Sequence, residues 1–139
     1  MENDVLSVEI AEHGAELTKL YNKKTGTDLL WDAEPKFWKR HSPVLFPNVG
    51  KTYKNTVKIN GTQYPTSQHG FARDMEFTLV KHNDGMLVMR LESDESTKEK
   101  YPFVDEVSSF SIFYHWKGTQ KNIITFKPNG IEGLKSYVS

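Results

Sequence analysis

Val57-Lys58-Ile59-Asn60-Gly61-Thr62-Gln63-Tyr64 places alternating apolar and polar residues on either side of an Asn-Gly pair. Alternation with period two marks a half-buried strand, and Asn-Gly supplies the two positive-φ positions of a type I′ turn, so the stretch predicts a β-hairpin. The pattern repeats outward from it. Phe77, Leu79 and Val80, the turn residues Asn83-Asp84-Gly85, and then Leu87, Met89 and Leu91 predict a second hairpin, with Thr78, Lys81 and Arg90 facing outward. Upstream, Leu6, Val8 and Ile10 alternate with Ser7 and Glu9; Gly14 marks a turn, and Ala15 to Tyr21 and Thr27 to Trp31 read as strands joined by Asn22-Lys23-Lys24-Thr25-Gly26. Downstream, Phe110, Ile112 and Tyr114 alternate, and Ile123, Thr125 and Phe126 suggest another strand. The sequence therefore predicts an all-β, mostly antiparallel chain.

Helical signals are few. Asp32 to Arg40 could form one helical turn, with Asp32 as cap and Pro35 in the first turn. Ser93 to Lys100 predicts one or two turns before Pro102, its charges forming a solvated face. His41 to Gly50 reads as an apolar strand, Val44-Leu45-Phe46, running into a loop at Pro47-Asn48. Trp31, Phe37 and Trp38 are expected either to cover a core edge or to line a cleft.

Between the two hairpins lies Gln68-His69-Gly70-Phe71-Ala72-Arg73-Asp74, the segment richest in chemistry. Histidine exchanges protons near neutral pH, and arginine presents a rigid fork of donors to oxygen-rich ligands. Gly70 lets the backbone bend between them or approach a ligand closely. The plain structural alternative is a hydrogen-bonded histidine in a tight strand connection, with Arg73 on a solvated face. His13, His41, His69, His82 and His115 are scattered without a paired ligand spacing, so no metal and no other cofactor is expected.

Arg40-His41-Ser42-Pro43-Val44-Leu45-Phe46-Pro47-Asn48-Val49-Gly50 followed by Gln68-His69-Gly70-Phe71-Ala72-Arg73-Asp74 resembles the aldose 1-epimerase (galactose mutarotase) family, in its bacterial branch of uncertain sugar specificity. Gly14-Ala15-Glu16-Leu17, Asp32-Ala33-Glu34-Pro35-Lys36-Phe37-Trp38 and Lys100-Tyr101-Pro102-Phe103 continue the likeness in family order. The resemblance implies an antiparallel β-sandwich of the galactose mutarotase type, here incomplete at its C-terminal side. It implies one truncated domain over residues 1–139, family-like over 1–103 and divergent over 104–139.

By the same resemblance, His69 corresponds to a histidine that hydrogen-bonds the sugar, and Arg73 to an arginine that contacts hydroxyl or phosphate. Asn48, Lys51 and Trp38 join them as substrate-binding positions; Lys51 stands where many relatives have arginine and loses the planar fork. The family's acid is a histidine in a His-Pro segment and its base a late glutamate. Here His115 is followed by Trp116, and Glu132 lies in Gly130-Ile131-Glu132-Gly133, so the usual pair is not found. The readings left open are an epimerase-like enzyme using His69 with His115 or Glu132, a sugar-binding remnant without turnover, and an interaction module pairing through unfilled sheet edges.

Composition bounds the rest. With 139 residues the chain suffices for one core, and with 18 Lys+Arg against 18 Asp+Glu it offers no bulk attraction to nucleic acid or membrane. A hexose or hexose phosphate is the expected small-molecule partner. Absence of cysteine excludes disulfides and thiolate chemistry and fits the cytoplasm, and no secretory leader or membrane span is expected.

Overall fold

The computed structural model describes residues 1–83 and 85–102, together with strand backbone at 109–115 and 123–128. Its elements are β1 (Leu6–Ile10), β2 (Leu17–Asn22), β3 (Thr27–Asp28), β4 (Thr56–Ile59), β5 (Thr62–Pro65), β6 (Thr78–Asn83), β7 (Met86–Glu92), α1 (Glu95–Lys98), β8 (Ser109–His115) and β9 (Ile123–Pro128). They form three antiparallel sheets, β1-β2-β3, β4-β5 and β6-β7-β8-β9. Almost everything regular is strand, as expected from the alternating pattern. Tail strands β8 and β9 extend the β6-β7 hairpin, so the divergent region does pair with the sheet. The Asp84 turn position, Phe103, the change of resemblance near residue 104 and Glu132 lie outside the described residues.

The hairpin at 57–64 forms as read: Ile59 pairs with Thr62, and Asn60 and Gly61 take φ of 48° and 87°. Both left-handed positions are what a I′ turn requires to match strand twist. In the 22–26 loop, Asn22 Oδ1 accepts from the Lys24 and Thr25 amides at 2.9 and 3.2 Å, a side-chain substitute for a backbone turn.

Several expectations are corrected. β3 stops at Asp28 because the Asp28 carboxylate takes the Leu20 and Leu30 amides at 3.2 and 3.1 Å, replacing the ladder with a side-chain acceptor. β2 begins at Leu17, since Gly14 and Ala15 both adopt positive φ and turn the chain. Asp32 to Arg40 forms only a turn, in which Phe37 and Trp38 donate to the Glu34 carbonyl; Ala33 at φ 56° cannot belong to a right-handed helix. Val44-Leu45-Phe46 is no strand, because Pro43 and Pro47 remove amide donors on both sides; a single parallel bridge, Phe46 to Gly70, takes its place.

At the start of β6 the register slips between Leu79 and Lys81, and this bulge turns Leu79 and Val80 outward. The core instead takes Phe77, 2% exposed, just before the strand. β7 is its spine: Leu87, Met89 and Leu91 join Ala15, Ala72 and Phe77, with Val44, Phe46, Phe71 and Met75 packed against them. The segments around Phe46 and Phe71 thus form one wall of the core, and burial of their apolar side chains fixes where the intervening polar residues stand. Phe46 meets Phe71 and Tyr101 edge-on at centroid separations of 6.0 and 5.0 Å. Behind Tyr101, α1 is capped by Asp94, which accepts from the Thr97 amide at 2.9 Å while Thr97 Oγ1 accepts from the Asp94 amide.

Candidate functional site

The segments 46–50 and 66–72 cross and are stitched together by main-chain and side-chain hydrogen bonds. Phe71 and Ala72 amides donate to the Phe46 carbonyl at 2.8 and 3.2 Å, and the His69 amide donates to the Gly50 carbonyl at 2.9 Å. In return the Gly50 amide donates to His69 Nδ1 at 3.0 Å. Asn48 Nδ2 donates to the Gly50 and Ser67 carbonyls at 3.0 and 3.1 Å, and its Oδ1 accepts from Thr66 Oγ1. The crossing is tight because Gly70 has no side chain: a Cβ there would stand 1.9 Å from the Phe46 carbonyl oxygen.

This geometry decides the state of the imidazole. A neutral histidine whose Nδ1 accepts a hydrogen bond carries its proton on Nε2. That end lies on the exposed side, with the Gln68 side-chain amide 3.4 Å away; with the proton on Nε2, the amide atom able to pair with it is the oxygen. His69 also sits at φ 67°, a left-handed conformation that a residue with a Cβ adopts only when its surroundings hold it there.

Arg73 folds back over the same turn, donating from Nη2 to the Gln68 carbonyl at 2.9 Å. Its Nε, buried, faces Asp74 Oδ2 at 3.6 Å, beyond hydrogen-bond reach. Asp74 is also bound by Arg40 Nη2, while Arg40 Nη1 donates to the Arg73 carbonyl at 2.8 Å and stands 3.6 Å from Glu16 Oε2. Glu16 is buried; its Oε1 accepts the His41 amide and, at 3.1 Å, the Ser42 amide. Ser42 Oγ donates to the Leu17 carbonyl at 2.9 Å. Gly14 permits the close approach here, since a Cβ on it would lie 2.6 Å from the Arg73 carbonyl oxygen.

Of the positions named from sequence, His69, Asn48 and Arg73 are therefore brought together in one crossing, and Lys51 follows it directly on an exposed position. Trp38 belongs to a separate exposed cluster, in which Trp31 Nε1 donates to its carbonyl at 2.8 Å and Trp31 meets Phe37 edge-on at 6.2 Å. His115 lies on β8, paired in register with Met86 and Ile123. Sequence reading assigned no role to Glu16 and Arg40, although both lay in the quoted motifs; an acid within an apolar strand start was the available signal.

One open groove borders the crossing, and another borders Glu16 and Arg40. The first, about 270 Å³, is lined by Pro65, Thr66, Ser67, Gly70, Phe71 and Lys100, and Lys100 Nζ lies 5.7 Å from the Phe71 ring centroid. The other, about 300 Å³, is lined by His13, Glu16, Lys39, Arg40 and His41 among others. Burial pushes the Tyr101 phenol above its usual pKa, keeping it neutral beneath Phe46. Among the described residues no three His, Asp or Glu side chains converge as a metal cluster, and no helix is long and apolar enough to cross a membrane.

The sequence pattern of the aldose 1-epimerase family matches residues 1–108. The chain belongs to this family. The plasmid and chromosomal forms of protein LacX of Lactococcus lactis subsp. lactis are each 27% identical over 112 residues, which is 77% of this chain and 37% of LacX. A galactose mutarotase-like protein from Lactobacillus casei superposes with a TM-score of 0.77 at 34% identity, over 85% of this chain and 39% of that one. A galactose mutarotase related enzyme from Lactobacillus acidophilus gives 0.78 at 31% identity, over 93% and 43%. The fold is thus of the galactose mutarotase type, and the chain spans roughly two fifths of the length of these relatives.

Proposed function

We propose that this aldose 1-epimerase-like chain binds an aldose, a hexose or hexose phosphate, at the crossing of 46–51 with 66–74, and that it does not by itself accelerate mutarotation. The observation that carries the reading is the pair of hydrogen bonds between Gly50 and His69, which directs Nε2–H of His69 to the exposed side, where a sugar oxygen can replace the Gln68 amide as its acceptor. Asn48 holds the crossing together, and Lys51 and the outer face of the Arg73 guanidinium supply charge for hydroxyls or phosphate. The site acts in the cytoplasm, on a small molecule and without a cofactor.

Mutarotation needs a base to take the proton from the anomeric hydroxyl and an acid to protonate the ring oxygen as the C1–O5 bond breaks; both must reach one pyranose. His69 is one group. These 139 residues hold no His-Pro pair and no alignable late glutamate, which favours binding without turnover by this stretch. The test is polarimetry of α-D-galactose, paired with an NMR titration by galactose and glucose 6-phosphate, on the chain and on His69→Ala. Saturable shifts at His69 and Gly50, lost in the variant, with the mutarotation rate of solvent, are expected. Acceleration abolished by His69→Ala would overturn the absence of turnover; unshifted spectra with both sugars would overturn the binding.

A second reading is favoured by one observation: among the described residues β9 pairs only with β8, leaving a sheet edge open to a second copy. Light scattering across a concentration series is expected to show mass rising with concentration, and a constant monomer mass would refute it.

A further inference from the structure

The Gln68–His69 peptide is held at both ends. Its oxygen accepts from Arg73 Nη2 at 2.9 Å, and its N–H donates to the Gly50 carbonyl at 2.9 Å. Because a peptide unit is planar, fixing both ends fixes the plane, and with it the direction from which the His69 side chain leaves the backbone. Arg73 is in turn fixed by what lies behind it. Arg40, 18% exposed at its side chain, forks between the Arg73 carbonyl and the Asp74 carboxylate, and Asp74 faces Arg73 Nε. Arg40 is backed by the buried Glu16 carboxylate, which is anchored by two main-chain amides of 41–42.

We infer that Glu16 and Arg40 are positioning residues which, through Arg73 and the Gln68 carbonyl, hold His69 in its left-handed conformation with the proton on Nε2. The inference rests on the reading of His69 as the sugar donor and assigns that donor its support. A planar guanidinium suits the task because it presents two parallel N–H groups to two acceptors at once, which lysine cannot. Without it the turn loses its fork, the positive φ of His69 relaxes toward the ordinary right-handed or extended regions, and the Nδ1 contact with Gly50 goes with it.

The experiment reads His69 directly and needs no sugar. Long-range ¹⁵N–¹H spectra of the histidine rings are recorded at about pH 8.5, two units above the usual imidazole pKa, so that only neutral tautomers contribute. In the native chain His69 is expected as the Nε2–H tautomer, with a protected Gly50 amide. In Arg40→Gln both tautomers are expected, with Gly50 exchange faster by about fivefold, the worth of one hydrogen bond; galactose affinity is expected to fall by a similar factor. Since Arg40→Gln strands a buried carboxylate, the double variant Glu16→Gln/Arg40→Gln is measured beside it: the glutamine amide oxygen that replaces the Glu16 carboxylate still accepts the 41–42 amides, without a buried charge.

A folded variant, with Leu87 and Met89 amides protected as in the native chain, that keeps a single Nε2–H tautomer and native Gly50 protection overturns the inference. So does an Arg40 guanidinium in the native chain whose N–H protons exchange as freely as those of a solvated arginine, a reading that depends on no variant folding. Failure of galactose to bind anywhere would overturn the proposed function and leave the tautomer result standing.

Discussion

Replacing Gly70 by alanine strikes the crossing on which the site is built. The added Cβ would lie 1.9 Å from the Phe46 oxygen, 2.2 Å from its carbon and 2.5 Å from the Pro47 nitrogen. Cβ contacts below 3.0 Å essentially never occur, so the two segments must part by more than 1 Å, and all three atoms are backbone, unable to swing aside. A separation of that size removes the Phe71 and Ala72 amide bonds to Phe46. Two lost hydrogen bonds cost about 1 kcal/mol each. Alanine at φ 72° adds roughly 1–2 kcal/mol of backbone strain.

The sum is about 3–4 kcal/mol, a large part of the 5–15 kcal/mol that typically holds a domain. Urea unfolding followed by tryptophan fluorescence measures it. Gly61→Ala is the control: Gly61 also has positive φ, at 87°, but nothing lies within 4 Å of its Cβ position, so only strain applies, roughly the same 1–2 kcal/mol. Gly70→Ala falling within 1 kcal/mol of Gly61→Ala would refute the argument from close approach. The same variant should lose the Gly50 contact to His69 and with it sugar-induced shifts.

Two further outcomes follow from packing and charge. Met89→Ala, in the fully buried centre of β7, should cost about 2–5 kcal/mol in urea titration, and a change below 1 kcal/mol would mean that the core closes elsewhere. Hydrogen bonds from Ser96 and Thr97 hold the Asp94 carboxyl below the usual carboxylate pKa. Its folded pKa being depressed, its support for α1 is present above the unfolded pKa, about 3.9, and is lost as pH falls through the lower folded value. Thr97 amide shifts should follow that titration below pH 4, and a shift that is flat there, or one centred above 4, would remove the cap from the account.

The strands of this chain were legible because their cause is local. Asn60-Gly61 can satisfy a I′ turn without help from the rest of the molecule, and the alternation in β1, β7 and β8 follows from a two-sided pleat. Misread elements share another cause. Asp28 ends β3 with its own carboxylate, Pro43 and Pro47 deny the 44–46 run its ladder, and a bulge turns Leu79 and Val80 outward. Each is a contest between equally plausible local patterns that only specific partners decide.

The site divides in the same way. Residue types alone marked His69 and Arg73 as chemically capable, and the order of the motifs named the family. No sequence periodicity could reveal that Asn48 and Arg73 turn their donors onto main-chain carbonyls, or that Glu16 and Arg40 stand behind them, since those partners lie up to 34 residues apart along the chain. The sequence by itself determined an antiparallel β chain of the aldose 1-epimerase family and the residues available for chemistry, because turn preference and alternation act between near neighbours. Tertiary structure alone decided which nitrogen of His69 bears the proton and what holds it, because that depends on a glycine cleft closing two distant loops to within hydrogen-bond distance.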